Sequence, residues 1–139
     1  MTTAPPAGLT FHHVGVACVD VCAEAARFAT LGYVIEGEAF EDPLQGIRGL
    51  FVAGQSPRLE LLEPLAASRP GVLSAWLARD VKFYHLAYRV LHLQPAISRL
   101  RALGAKVVVP ATPAVAFGGR EIAFLMLPNR SLIELIASQ

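Results

Sequence analysis

The chain has 139 residues, of which 54% are hydrophobic and 17% charged, and its formal net charge is +1. That length suits one ordinary domain with a continuous core, and the composition excludes disorder. A near-neutral balance with scattered basic residues excludes the electrostatic footprint of a nucleic-acid or anionic-membrane partner.

Residues 1–8 are small and Pro-rich, with no basic stretch followed by an apolar one, so no secretory signal is expected. No apolar run reaches the roughly 18–20 residues of a membrane span. The first strand is expected over 11–18 (FHHVGVAC), which is short, apolar and rich in β-branched residues. Asp20 is placed to cap a helix over 21–31, and Gly32 to stop it. Strands follow over 33–39, 47–53 and 58–63, the first two separated by the loop Glu41-Asp42-Pro43-Leu44-Gln45-Gly46. Pro70-Gly71 then opens a short connector helix over 71–79 around Trp76. A strand over 82–90 precedes a helix over 93–103, with Leu93, Ala96, Ile97, Leu100 and Leu103 on one face and Gly104 as its stop. The remaining strands are expected over 106–109, 120–127 and 131–137. Cys18 and Cys22 read as two buried thiols in a reducing compartment, and the default setting is cytoplasmic.

The order is β-α-β-β-β, twice. A single domain over 1–139 is expected, made of a first module over 10–66, a connector over 67–80 and a second module over 81–137. Neither copy can bury its sheet face alone, so an α+β fold is expected in which two paired βαβββ modules form a curved sheet around a cleft, helices outside.

Each module carries one histidine early and one glutamate late. His13 and Glu60 stand 47 positions apart, His85 and Glu134 49 apart. A lone histidine in an apolar strand is usually a satisfied core residue, and a glutamate there can sit on a wet strand face. A carboxylate buried among leucines is costly without a cation, a donor or water. Duplication favours one shared metal satisfying all four groups. Two imidazoles and two carboxylates suit a borderline to hard divalent ion with open positions: Co, Ni, Mn, Fe or Mg, with Zn less favoured as a closed tetrahedral site.

His12-His13-Val14-Gly15-Val16-Ala17, Gln45-Gly46, Leu59-Glu60-Leu61-Leu62-Glu63-Pro64, Tyr84-His85-Leu86-Ala87, Phe117-Gly118-Gly119-Arg120 and Leu132-Ile133-Glu134-Leu135 together resemble the vicinal oxygen chelate (glyoxalase, bleomycin resistance, dioxygenase) superfamily. Within it the chain is most similar to the methylmalonyl-CoA epimerases, over residues 10–137. The resemblance implies a glyoxalase-like fold and places the metal ligands on His13, Glu60, His85 and Glu134. It implies a carboxylate base at Glu134; Glu60 is the candidate for the opposite face of the substrate carbon. Some epimerases have Gln where Glu60 stands, whereas glyoxalase I has Glu. Some epimerases also carry a further acid on the third strand; the run from Gly46 to Val52 has none, leaving Glu41 or Asp42 to enter from the loop. Gln45, Arg48 and Arg120 are candidate substrate-binding residues. His12 and His92 are expected outside the site, and Tyr84 and Tyr88 in the core.

The implied activity is metal-dependent isomerisation or epimerisation beside a carbonyl, on an acyl thioester such as methylmalonyl-CoA. Alternatives are a glyoxalase I-like lyase and an antibiotic-binding resistance protein. The expected partner is a small-molecule substrate, with no nucleic acid or membrane, and the chain is expected to form a homodimer.

Overall fold

The computed structural model describes residues 4–65 and 71–138. Two compact units divide the chain, one over His13–Tyr84 and the other over residues 85–139 with residues 1–12. Pro70, expected at the first turn of the connector helix, lies outside the described residues.

In the first unit the elements are β1 (Thr10–Ala17, from His13 onward), α1 (Val21–Ala29), β2 (Val34–Asp42), β3 (Ile47–Ala53), β4 (Leu59–Pro64) and α2 (Val72–Ala78). Its strands lie in the order β2-β3-β4-β1, with β1 parallel to β4 and the other pairs antiparallel. The Asp20 carboxylate starts α1 by accepting hydrogen bonds from the Cys22 and Ala23 amides at 2.9 and 3.2 Å. Gly32 follows the helix with φ of +96°, a conformation that costs glycine little. α1 turns Val21 and Ala25 onto Leu50, Val52, Leu59 and Leu61, which fixes one face of β3 and β4 as the helix side. In α2, Leu73 is buried and Trp76 stacks obliquely on Tyr84 at 5.8 Å.

In the second unit β5 (Phe83–Val90, from His85 onward) is followed by α3 (Leu93–Ala102), β6 (Lys106–Pro113), a single 3₁₀ turn over Val115–Phe117, β7 (Glu121–Met126) and β8 (Leu132–Ala137). The order is β5-β8-β7-β6, with β5 parallel to β8. α3 packs Leu93, Ala96 and Ile97 on Ala123, Leu125, Ile133 and Leu135. Both sheets therefore keep one face for a helix and leave the other for different residues.

Some expectations shift. β2 runs on to Asp42, and β6 reaches Pro113 instead of ending at 109. The extension passes through Pro110 because β6 is a terminal strand of its sheet, where a missing amide removes no bond on the outer side. Cys18 is buried, but Cys22 is exposed, since it stands on α1 away from the Val21 and Ala25 stripe. Burial, with Glu24 second, pushes the Cys18 thiol up to about 12. His92 occupies the α3 cap position without a side-chain cap bond and is exposed.

Candidate functional site

Register and alternation decide which side chains meet. In the first unit Gly15 pairs with Glu60 and Phe51 with Glu60, so the odd residues of β1 and β3 join the even residues of β4 on the face away from α1. His13 and Glu60 are both buried there, and His13 Nε2 lies 3.1 Å from Glu60 Oε1. Phe51 meets the His13 ring edge to face at 5.4 Å and orients it. Phe40 reaches over from β2 into the gap above Gly49, where an added Cβ would come within 2.3 Å of its ring.

In the second unit the same construction recurs. Ala87 and Phe124 are the partners of Glu134, on the face opposite α3. His85 and Glu134 are buried, with His85 Nε2 at 3.2 Å from Glu134 Oε1 and the Phe124 ring edge to face on His85 at 5.1 Å. Each unit thus presents one imidazole and one carboxylate, buried and facing each other at contact distance.

Among the described residues the buried polar or charged side chains are His13, Glu60, His85, Glu134 and one more, Asp42. Asp42 pairs with Ile47, and Phe40 with Gly49, so Asp42 shares the Glu60 face while Glu41 is exposed. Gln45 is half-buried in the turn that follows. Its amide Nε2 donates to Asp42 Oδ2 at 2.9 Å, and its backbone N–H donates to Oδ1 at 3.3 Å.

Arg48 stands elsewhere. It pairs with Glu63 and is in phase with Leu50 and Val52, which places it on the α1 side of the sheet, opposite Glu60. The expectation that Arg48 reaches the site is corrected accordingly. Arg120 is exposed just before β7, in phase with Ile122 and Phe124 and therefore with the Glu134 face. Arg89 escaped the sequence reading. It is exposed on β5, two and four residues beyond Ala87 and His85, and that even spacing was the available signal. His12 packs edge to face on Phe117 at 5.4 Å, Tyr84 is buried, and Tyr88 is half-buried against the α3 cluster, so these three lie in packing positions.

Residues 12–124 match the sequence profile of the Glyoxalase/Bleomycin resistance protein/Dioxygenase superfamily. The chain belongs to this superfamily and has its glyoxalase-like fold. A curated relative, the ethylmalonyl-CoA/methylmalonyl-CoA epimerase of Cereibacter sphaeroides, is 30% identical over 129 residues, covering 89% of this chain and 94% of the relative. The crystal structure of methylmalonyl-CoA epimerase from Mycobacterium tuberculosis superposes with a TM-score of 0.78 at 26% identity, covering 100% of this chain and 93% of that one. A variant of the Streptomyces coelicolor methylmalonyl-CoA epimerase, in complex with 2-nitronate-propionyl-CoA, gives 0.76 at 26% identity over 94% of this chain and 96% of that one. Within the superfamily the chain is a relative of the methylmalonyl-CoA epimerases.

Proposed function

We propose that the protein is a divalent-metal-dependent epimerase acting on the carbon next to the carbonyl of an acyl-CoA such as methylmalonyl-CoA. The observation that carries this reading is the pair of buried His–Glu contacts, each held on the non-helix face of its unit. The proposed ligands of the ion are His13 and Glu60 from the first unit and His85 and Glu134 from the second, each able to offer one donor atom. The donor set fits: two imidazole nitrogens and two carboxylate oxygens suit Co, Ni, Mn, Fe, Mg or Zn, and a cation offsets the cost of burying both carboxylates. Bound there, such an ion supplies Lewis-acid stabilisation of negative charge growing on substrate oxygen.

The chain's own residues do the rest. Glu134 accepts the α-proton from one side of the carbon, a general-base contribution of about 10²–10⁴-fold. Glu60 is the proposed group on the opposite side: detached from the donor set and protonated from solvent, it returns a proton to the carbon there and inverts the centre, and the proton taken up by Glu134 passes to solvent, which restores both carboxylates. Phe51 and Phe124 hold the imidazoles in place and keep water from them. Gln45 and Arg120 contact the substrate. Coenzyme A thioesters are intracellular metabolites, which fits a cytoplasmic enzyme, and a homodimer is the proposed assembly.

Methylmalonyl-CoA incubated with the protein in deuterated water is expected to take up deuterium at the α-carbon, and E134Q to lose that exchange. Unchanged exchange in E134Q removes Glu134 from the mechanism. One observation favours a second reading: both units supply a glutamate, the ligand pattern of a glyoxalase I-like lyase. Turnover of a thiol hemithioacetal without α-exchange of the acyl-CoA would select it.

A further inference from the structure

The two units repeat their site faces position by position, and the places where they differ in chemistry single out two arginines. Gly15 and Ala87 are the β-partners of Glu60 and Glu134; two residues further along the same strands stand Ala17, paired with Leu62, and Arg89, paired with Ile136. Four residues before the ring-orienting Phe51 is Ile47, and four before Phe124 is Arg120. Ala17 and Ile47 are buried, whereas Arg89 and Arg120 are exposed. So a guanidinium replaces an apolar side chain twice, both times on the Glu134 face and both times toward the same end of the sheet. At that end Arg89, Ile136 and Ile122 form one lateral row, and Arg120 stands one step beyond it. β5 and β7 are separated only by β8, a span of about 10 Å, which is within the combined reach of two arginine side chains.

Charge is distributed in the same sense. The stretch from residue 85 to 139 has six Lys and Arg against two acidic residues, and residues 13–84 have six against nine. The net charge near zero conceals a cationic half and an anionic half.

We propose that Arg89 and Arg120 form an anion subsite that binds a phosphate of the coenzyme A carrier. This rests on the acyl-CoA reading above for the ligand's identity. Guanidinium forks match phosphate oxygens in pairs, and they do so best where water is partly excluded, as beside the buried Ile122 and Ile136. Arg89 stands two residues from the Glu134 row, about 7 Å, and Arg120 four residues from it, about 14 Å, so both lie beyond the reacting carbon proposed at Glu134, on the side proposed for the carrier. The acyl carboxylate of the substrate is the other anion of similar chemistry, and the test separates the two.

Binding of coenzyme A to the full-length protein is measured by calorimetry for the wild type, R89Q, R120Q and R101Q, the last an exposed arginine on α3. R89Q and R120Q are expected to weaken coenzyme A about tenfold each, while R101Q, which changes net charge equally, binds as the wild type does. KM for methylmalonyl-pantetheine, which keeps the acyl carboxylate and lacks the nucleotide phosphates, is expected to be unaltered in R89Q. Wild-type coenzyme A affinity in R89Q and R120Q, or an equal loss in R101Q, overturns the subsite. A KM rise with the pantetheine thioester overturns the phosphate assignment in favour of the acyl carboxylate. Arginine-dependent coenzyme A binding without α-proton exchange would leave the subsite standing and sink the epimerase reading instead.

Discussion

The first and second modules solve one packing problem in the same way and then part company. In both, a histidine on the opening strand faces a glutamate on the closing strand, at 3.1 Å and 3.2 Å, and a phenylalanine paired with that glutamate meets the imidazole edge on. Away from this nucleus the modules diverge. The first fills its face with Phe40 lying over Gly49, whereas the second has Ile122 at the corresponding place. The first caps its long helix with Asp20, and the second starts its helix at His92 with no side-chain bond. The nucleus keeps its chemistry in both copies, whereas the surroundings follow local packing.

Unequal roles for the two glutamates should give the largest effect. E134Q is expected to lower α-proton exchange by about 10²–10⁴-fold, and E60Q by less; deuterium uptake followed by mass spectrometry checks both. Equal losses would mean that the copies are chemically equivalent. Metal content should respond symmetrically instead. H13A and H85A are each expected to bring purified protein from one ion per chain to well below half, as read by elemental analysis. Loss in only one of them would break the symmetry of the two half-sites.

Packing differences rank next. G49A must displace the Phe40 ring and is expected to cost about 1–3 kcal/mol in urea unfolding. I122V, at the corresponding place, should cost about 1 kcal/mol. At the helix starts, D20A is expected to lose about 1 kcal/mol and H92A close to nothing, with Tm as the readout. A smaller contrast lies in the cysteines. Below pH 9 a thiol reagent should label exposed Cys22 and spare Cys18. Because burial raises the Cys18 thiol from 9.0 to about 12, its unfolded form ionises first, and stability should fall as pH rises between those values. C18A should remove that slope.

The repeat, the helix stops and the two buried His–Glu pairs were legible because each leaves a local mark: a glutamate between leucines, a glycine after an apolar stripe, the same order twice. Face assignment was legible only within a strand. Arg48 looked eligible because alternation alone leaves open which phase faces the site; the pairing of Phe51 with Glu60 settles that phase against it. Arg89 was readable by the same parity, four residues from His85, once His85 was known to face its glutamate. The full length of β6 was hidden by Pro110, whose tolerance depends on the strand lying at the end of its sheet. Asp42 carried the weakest mark, an acid before proline, although the fold buries it on the Glu60 face.

That buried carboxylate has a consequence for recognition. Asp42 engages Gln45 through both the side-chain amide and the backbone N–H, so the glutamine's rotamer freedom is surrendered when the turn folds. A ligand using the remaining atoms of that amide meets a group already ordered. The entropy of immobilising it, about 0.5–1.5 kcal/mol for a flexible side chain, is thereby charged to folding and not to association.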